Sequence, residues 1–101
     1  MTVAYRNHPV TDHRSIVDGD TQFIDVREPH EFATGSLDGA VNIALREIAQ
    51  HLDGLDPARR TVLLCRSGNR SGQAAEILDD AGFTEVVNLE GGLLAYGTEE
   101  T

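Results

Sequence analysis

Short apolar runs recur along this chain, each separated from the next by a turn signal and a stretch with helical spacing. The runs are Gln22–Val26, Ala40–Ile43, Thr61–Leu64 and Thr84–Leu89, each of strand length and rich in aliphatic side chains. Between them, Thr11 is a candidate N-cap for about two helical turns reaching Asp18, with Ile16 and Val17 inward and Gly19-Asp20 as the stop. Pro29 suits the first turn of a short helix through Phe32, because its missing N–H is not needed there. Gly35, Asp38 and Gly39 mark turns. Leu45, Ile48, Ala49 and Leu52 fall at i, i+3, i+4 and i+7 and predict an amphipathic helix closed by Gly54 and Pro57. Ala74, Ile77, Leu78 and Ala81 form one face of a further helix, with Gly82 placed as the left-handed residue beyond its end. A short helix follows Gly91-Gly92 through Tyr96, and the final GTEET is expected to fray. Residues 1–10 read as a lead-in with an edge strand near Val3–Tyr5. Strands alternating with helices over short connections predict an α/β fold, a parallel sheet with helices on both faces. At 101 residues the chain is expected to be one domain, residues 1–101, with its core over about residues 10–96.

Charge narrows the partners. Seventeen acidic against eight basic residues give a net charge of −9, so nucleic acid and anionic membrane are not expected as partners. All the basic residues are arginine, which fits either a GC-rich coding bias or an acid-rich surface suited to high salt. Melting at low and high salt separates the two, since equal stability removes the second. The start, MTVAYRNHPV, lacks the apolar core of a signal peptide, and no run approaches a membrane span. One cysteine allows no internal disulfide. A reducing cytoplasm is the expected compartment.

That cysteine, Cys65, stands at the end of the Thr61–Leu64 run, directly before a polar loop and a helix. In parallel sheets ligands bind beyond the carboxyl ends of the strands. A helix N-terminus supplies unpaired N–H groups and a dipole that favour an anion, and thiols so placed are the reactive ones. Arg66 and Arg70 add positive charge, Ser67, Asn69 and Ser71 polarity, and Gly68 the freedom to curl the backbone inward. The residues alone leave two readings open: a small buried hydrophobe, or a nucleophile. His8, His13, His30 and His51 lie in segments read as turns or exposed helix faces, away from a base position. No metal-ligand spacing, phosphate loop or dinucleotide fingerprint occurs.

Four blocks carry a resemblance: DVREPHEF (Asp25–Phe32), GAVNI (Gly39–Ile43), CRSGNRS (Cys65–Ser71) and NLEGGLLAY (Asn88–Tyr96). In order and spacing they resemble a single-domain rhodanese of the thiosulfate sulfurtransferase type, over residues 22–96. The resemblance implies the three-layer rhodanese-like fold and transfer of a sulfane sulfur through a persulfide on Cys65. It implies that the loop Arg66, Ser67, Gly68, Asn69, Arg70 and Ser71 cradles that sulfur, with Arg66 and Arg70 on a small anionic donor such as thiosulfate. The acceptor is then cyanide, a thiol or a protein partner, and no cofactor or metal is implied.

Four residues separate Cys65 from Arg70, which resembles the six-residue loop of sulfurtransferases rather than the longer phosphatase loop. A persulfide carrier or protein-docking module with little turnover of free thiosulfate is the alternative. The chain departs from the family at Gly35-Ser36-Leu37-Asp38-Gly39, where Gly-His-Ile-Pro-Gly is common, and at Tyr96, where Trp is common. Asp25, Arg27 and Glu31 are read as a structural ion-pair cluster. Gly91 and Gly92 are read as a tight turn beside the cysteine loop.

Overall fold

The computed structural model describes residues 5–97. Five parallel strands form one sheet in the order β1-β5-β4-β2-β3. They are β1 (Arg6–Pro9), β2 (Gln22–Asp25), β3 (Val41–Asn42), β4 (Thr61–Leu64) and β5 (Val86–Glu90). The helices are α1 (Pro29–Phe32), α2 (Asn69–Asp80) and α3 (Gly92–Tyr96), with 3-10 helices at Val10–Ser15 and Leu45–Gly54. The α/β architecture read from the sequence is the one observed.

Every residue of β4 is buried, which is why it reads as a continuous apolar run rather than an alternating one. Its side chains still alternate between faces. Val62 and Leu64 pack with Phe23, Val87, Leu89 and Leu93 beneath α3 and the Val10–Ser15 helix. Leu63 and Cys65 pack with Ile24, Ala74, Ala75 and Leu78 beneath α2 and the Leu45–Gly54 helix. This period-two alternation delivers the thiol to the α2 face.

Several boundaries differ from expectation. The first strand among the described residues is Arg6–Pro9; of the edge strand expected near Val3–Tyr5, Val3 and Ala4 lie outside the described residues. β1 pairs only with β5, so Pro9 ends an edge strand where no N–H is required. The helix expected from Thr11 is a 3-10 segment capped by Pro9, with Asp12 at non-helical φ −115° and ψ 24°. Leu45–Gly54 is likewise 3-10. At about three residues per turn the i+4 position rotates off the buried face, so Ile48 is fully buried while Ala49 is exposed. Ala81 is the exposed C-cap of α2 rather than part of its buried face, and Gly82 follows at φ +94° as expected. Of the GTEET end expected to fray, all but Gly97 lies outside the described residues. Among the described residues no helix is long and apolar enough to cross a membrane.

Candidate active site

Cys65 follows the last residue of β4, at the carboxyl edge of the sheet. Three residues on, Gly68 takes the left-handed conformation (φ +100°, ψ −6°) as the N-cap of α2 and turns the chain back over the sulfur. A Cβ there would lie 3.2 Å from the backbone nitrogen of Gly91, so the turn and the close approach both need glycine. The result is a sulfur facing backbone donors: the N–H groups of Gly68 and Ser71 point at Cys65 Sγ from 3.0 and 3.3 Å. The residue is also fully buried. Burial and a polar ring of donors, offered by the sequence as alternatives, occur together.

The far side of the loop rests on α3. Leu93 N–H donates to the Cys65 carbonyl and Leu94 N–H to the Arg66 carbonyl, each at 3.0 Å. Two carbonyls of the cysteine turn are thus satisfied by the first turn of the neighbouring helix. Gly91 and Gly92 (φ +89° and +59°) form the turn that brings α3 so close, in the backbone role expected of them.

A buried polar chain supports the sulfur from the α2 face. Ser71 is fully buried, and its Oγ lies 3.3 Å from Cys65 Sγ and 2.5 Å from Asn88 Oδ1. Asn88 Nδ2 donates to the Gly68 carbonyl (3.3 Å) and to Asn7 Oδ1 (2.9 Å). Because the Gly68 carbonyl can only accept, the amide orientation of Asn88 is fixed, and its oxygen must accept from Ser71. Asn88 reaches this position because it pairs in register with Leu63, two residues before the cysteine on the same sheet face. Sequence alone marks no separate role for Asn88. Its signal was a lone amide inside the buried run VVNLE, where an unpaired polar group is costly.

The two loop arginines are not alike. Arg66 is exposed on the rim, as are Ser67 and Asn69. Arg70, in the first turn of α2, grips Glu31 with both guanidinium ends, Nη1 to Oε1 at 2.7 Å and Nη2 to Oε2 at 3.0 Å. The Glu31 Oε1 also accepts the Glu28 N–H at 2.9 Å, closing the capping box of α1. Arg70 and that N–H together hold the Glu31 carboxyl down to about 2.

Glu31 therefore leaves the expected cluster with Asp25 and Arg27 and joins the cysteine loop instead. Asp25 and Arg27 do pair, fully buried, through contacts of 2.9–3.1 Å. Ser36 Oγ and the Arg27 N–H complete the Asp25 carboxylate, and Arg27 Nη2 also donates to the Gly35 carbonyl. Ser36, at the departure from the common Gly-His-Ile-Pro-Gly run, thus anchors the turn through that carboxylate.

Among the described residues the hydrogen bonds to the cysteine sulfur come from Gly68 and Ser71, and the histidines are engaged elsewhere or exposed. His8 pairs with Asp12 at 2.9 Å, and His30 and His51 are exposed. His13, expected on a turn or an exposed helix face, is instead buried. Its Nδ1 donates to the Val10 carbonyl, and its ring lies between Phe23 and Tyr96.

With this geometry in hand, known proteins offer a direct comparison. The chain is similar to YtwF of Bacillus subtilis (strain 168), 40% identical over 82 residues, or 81% of this chain and 79% of that protein. It is similar to the thiosulfate sulfurtransferase GlpE of Shewanella oneidensis, 35% identical over 75 residues and 74% of each chain. The crystal structure of a rhodanese-like domain protein from Staphylococcus aureus superposes with a TM-score of 0.83 at 27% identity, covering 94% of both chains. Residues 11–99 match the sequence profile of the rhodanese-like domain, and the chain belongs to that sulfurtransferase family.

Proposed function

We propose that this protein is a sulfurtransferase that takes a sulfane sulfur from a thiosulfate-like donor and holds it as a persulfide on Cys65. The observation that carries the reading is the pair of backbone N–H groups, from Gly68 and Ser71, aimed at Cys65 Sγ within a short loop at a helix N-terminus. Such donors stabilise a sulfur bearing negative charge without a general base, and among the described residues no histidine hydrogen-bonds to this thiol. In the first step the Cys65 thiolate attacks the outer sulfur of the donor. A sulfur–sulfur bond forms to Cys65 while the donor's own sulfur–sulfur bond breaks, and sulfite departs with the electron pair. In the second step a thiophile (cyanide, a thiol or a protein cysteine) attacks the outer persulfide sulfur and returns the thiolate. Arg66, Ser67 and Asn69 form the exposed rim over which the donor enters, and the Arg70 charge, in the first turn of α2, acts on Cys65.

One observation favours the carrier alternative, in which free thiosulfate turns over slowly and a protein partner receives the sulfur. Cys65 has no exposed surface, so the loop must open for any donor to reach it. Thiocyanate formation from thiosulfate and cyanide tests the reading against Cys65→Ser. Turnover abolished in the variant supports the enzyme. A wild-type persulfide seen by mass spectrometry with negligible turnover supports the carrier, and neither product overturns both.

A further inference from the structure

Arg70 lies close enough to the cysteine sulfur for their charges to interact, and the Asp25 carboxylate acts on it too. Its guanidinium is nevertheless engaged at both ends by Glu31. Glu31 cannot swing away cheaply, because the oxygen that takes the shorter Arg70 contact also accepts the Glu28 N–H that caps α1. A donor entering beside Cys65 therefore meets an ion pair of no net charge, on a chain that carries −9 overall. A dianion must either share Arg70 with an anchored carboxylate or displace it, and each route sets like charges together. A monoanion carries half that burden.

We propose that Glu31 is a specificity-determining residue that disfavours dianionic donors, so that the site is matched to monoanionic sulfur donors, thiol persulfides or thiosulfonates, over thiosulfate. The inference rests on the sulfur-transfer reading above and names the donor class for that site. With a thiosulfonate the step is balanced: the Cys65 thiolate bonds to the terminal sulfur, the donor's sulfur–sulfur bond breaks, and a sulfinate leaves with the pair. With a persulfide the leaving group is a thiolate.

The test compares the whole chain with Glu31→Gln, using thiosulfate and methanethiosulfonate as donors of similar shape and different charge. Intrinsic reactivity differs between them, so the diagnostic is how the ratio of their kcat/KM values changes with the substitution. The variant should move the ratio about tenfold toward thiosulfate, through the thiosulfate KM, as one removed charge at close range implies. An unchanged ratio, or equal losses with both donors, overturns the proposal. A second readout needs no turnover. Cys65 is the only thiol, and the ratio of its alkylation rates with iodoacetate and iodoacetamide should rise in Glu31→Gln. Absence of both thiocyanate and a Cys65 persulfide with both donors overturns the sulfur-transfer reading, whereas an unchanged alkylation ratio overturns the role of Glu31.

Discussion

Ser71 gives its single hydroxyl hydrogen to Asn88 Oδ1, so the oxygen 3.3 Å from Cys65 Sγ turns only lone pairs toward the sulfur. A thiol can donate into those lone pairs; a thiolate or persulfide anion is repelled by them. When the sulfur carries charge, the hydroxyl gains by rotating away from Asn88 and donating to the sulfur instead. Asn88 thus competes with the sulfur for the one hydroxyl hydrogen of Ser71. Asn88→Leu should release Ser71 and speed iodoacetamide alkylation of Cys65 near neutral pH by about tenfold, the scale of a hydrogen bond to a charged group. Ser71→Ala/Asn88→Leu should lose that gain. An equal acceleration in the double variant would mean that the loop has merely loosened.

The Glu31–Arg70 pair makes stability depend on pH in a defined direction. Arg70 first, then the Glu28 N–H, hold the Glu31 carboxyl down from 4.5 to about 2. A lowered carboxyl stabilises the fold fully above the unfolded value of 4.5, and that contribution is lost as pH falls toward about 2. The gap in Tm between wild type and Glu31→Gln should therefore be widest above pH 5 and close near pH 2. Both side chains remain partly exposed, 32% for Arg70 and 23% for Glu31. Solvent screening then limits the contribution to about 1 kcal/mol. Parallel melting curves that keep the same gap down to pH 2 would show that the capping role of Glu31, not its charge, supports the fold.

What could be read in advance follows physical range. Local pattern marks strands and helices from Thr11 onward, and its position between β4 and α2 marks the cysteine loop. Its chemistry is local, made by amides within six residues of Cys65. The partners of that loop were not legible. Glu31 sits 39 residues before Arg70 and Asn88 17 residues after Ser71, and only strand order brings them together. The Leu45–Gly54 3-10 helix reads as an ordinary amphipathic helix because i, i+3 spacing is satisfied in 3-10 and α-helices alike. Only the i+4 residue distinguishes them, and Ala49 is small enough to sit on either face.

Asp25 and Arg27 form the buried pair on which the turn after α1 rests. Removing one partner leaves a charge stranded, which typically costs about 3–5 kcal/mol, whereas an apolar replacement of both is often tolerated. Arg27→Leu should lower Tm by roughly 12–40 °C, taking about 4–8 °C per kcal/mol for a domain of this size. Asp25→Leu/Arg27→Leu should recover part of that loss. It should not recover all of it, because Ser36 Oγ, the Gly35 carbonyl and the Arg27 N–H lose their partners as well. A double variant no more stable than the single one would place the cost in those three groups rather than in the stranded charge.

Gly92 and Gly82 separate backbone conformation from backbone contact. Both have positive φ, +59° and +94°. An alanine at Gly82 meets nothing within 4 Å, so Gly82→Ala should cost only the left-handed penalty of about 1–2 kcal/mol. At Gly92 the new Cβ would lie 2.6 Å from the Cys65 carbonyl oxygen and against the Arg66 carbonyl as well. Backbone cannot step aside as a side-chain tip can, so α3 must lift. The Leu93 and Leu94 N–H groups then leave the two carbonyls they satisfy, adding about 1 kcal/mol each. Gly92→Ala should therefore lose more Tm than Gly82→Ala. More tellingly, it should lose sulfur transfer even at temperatures where it remains folded by circular dichroism, because the displaced carbonyls belong to the turn that aims Gly68 and Ser71 at the sulfur. Equal activity per folded molecule in the two variants would mean that α3 braces the fold without shaping the cysteine turn.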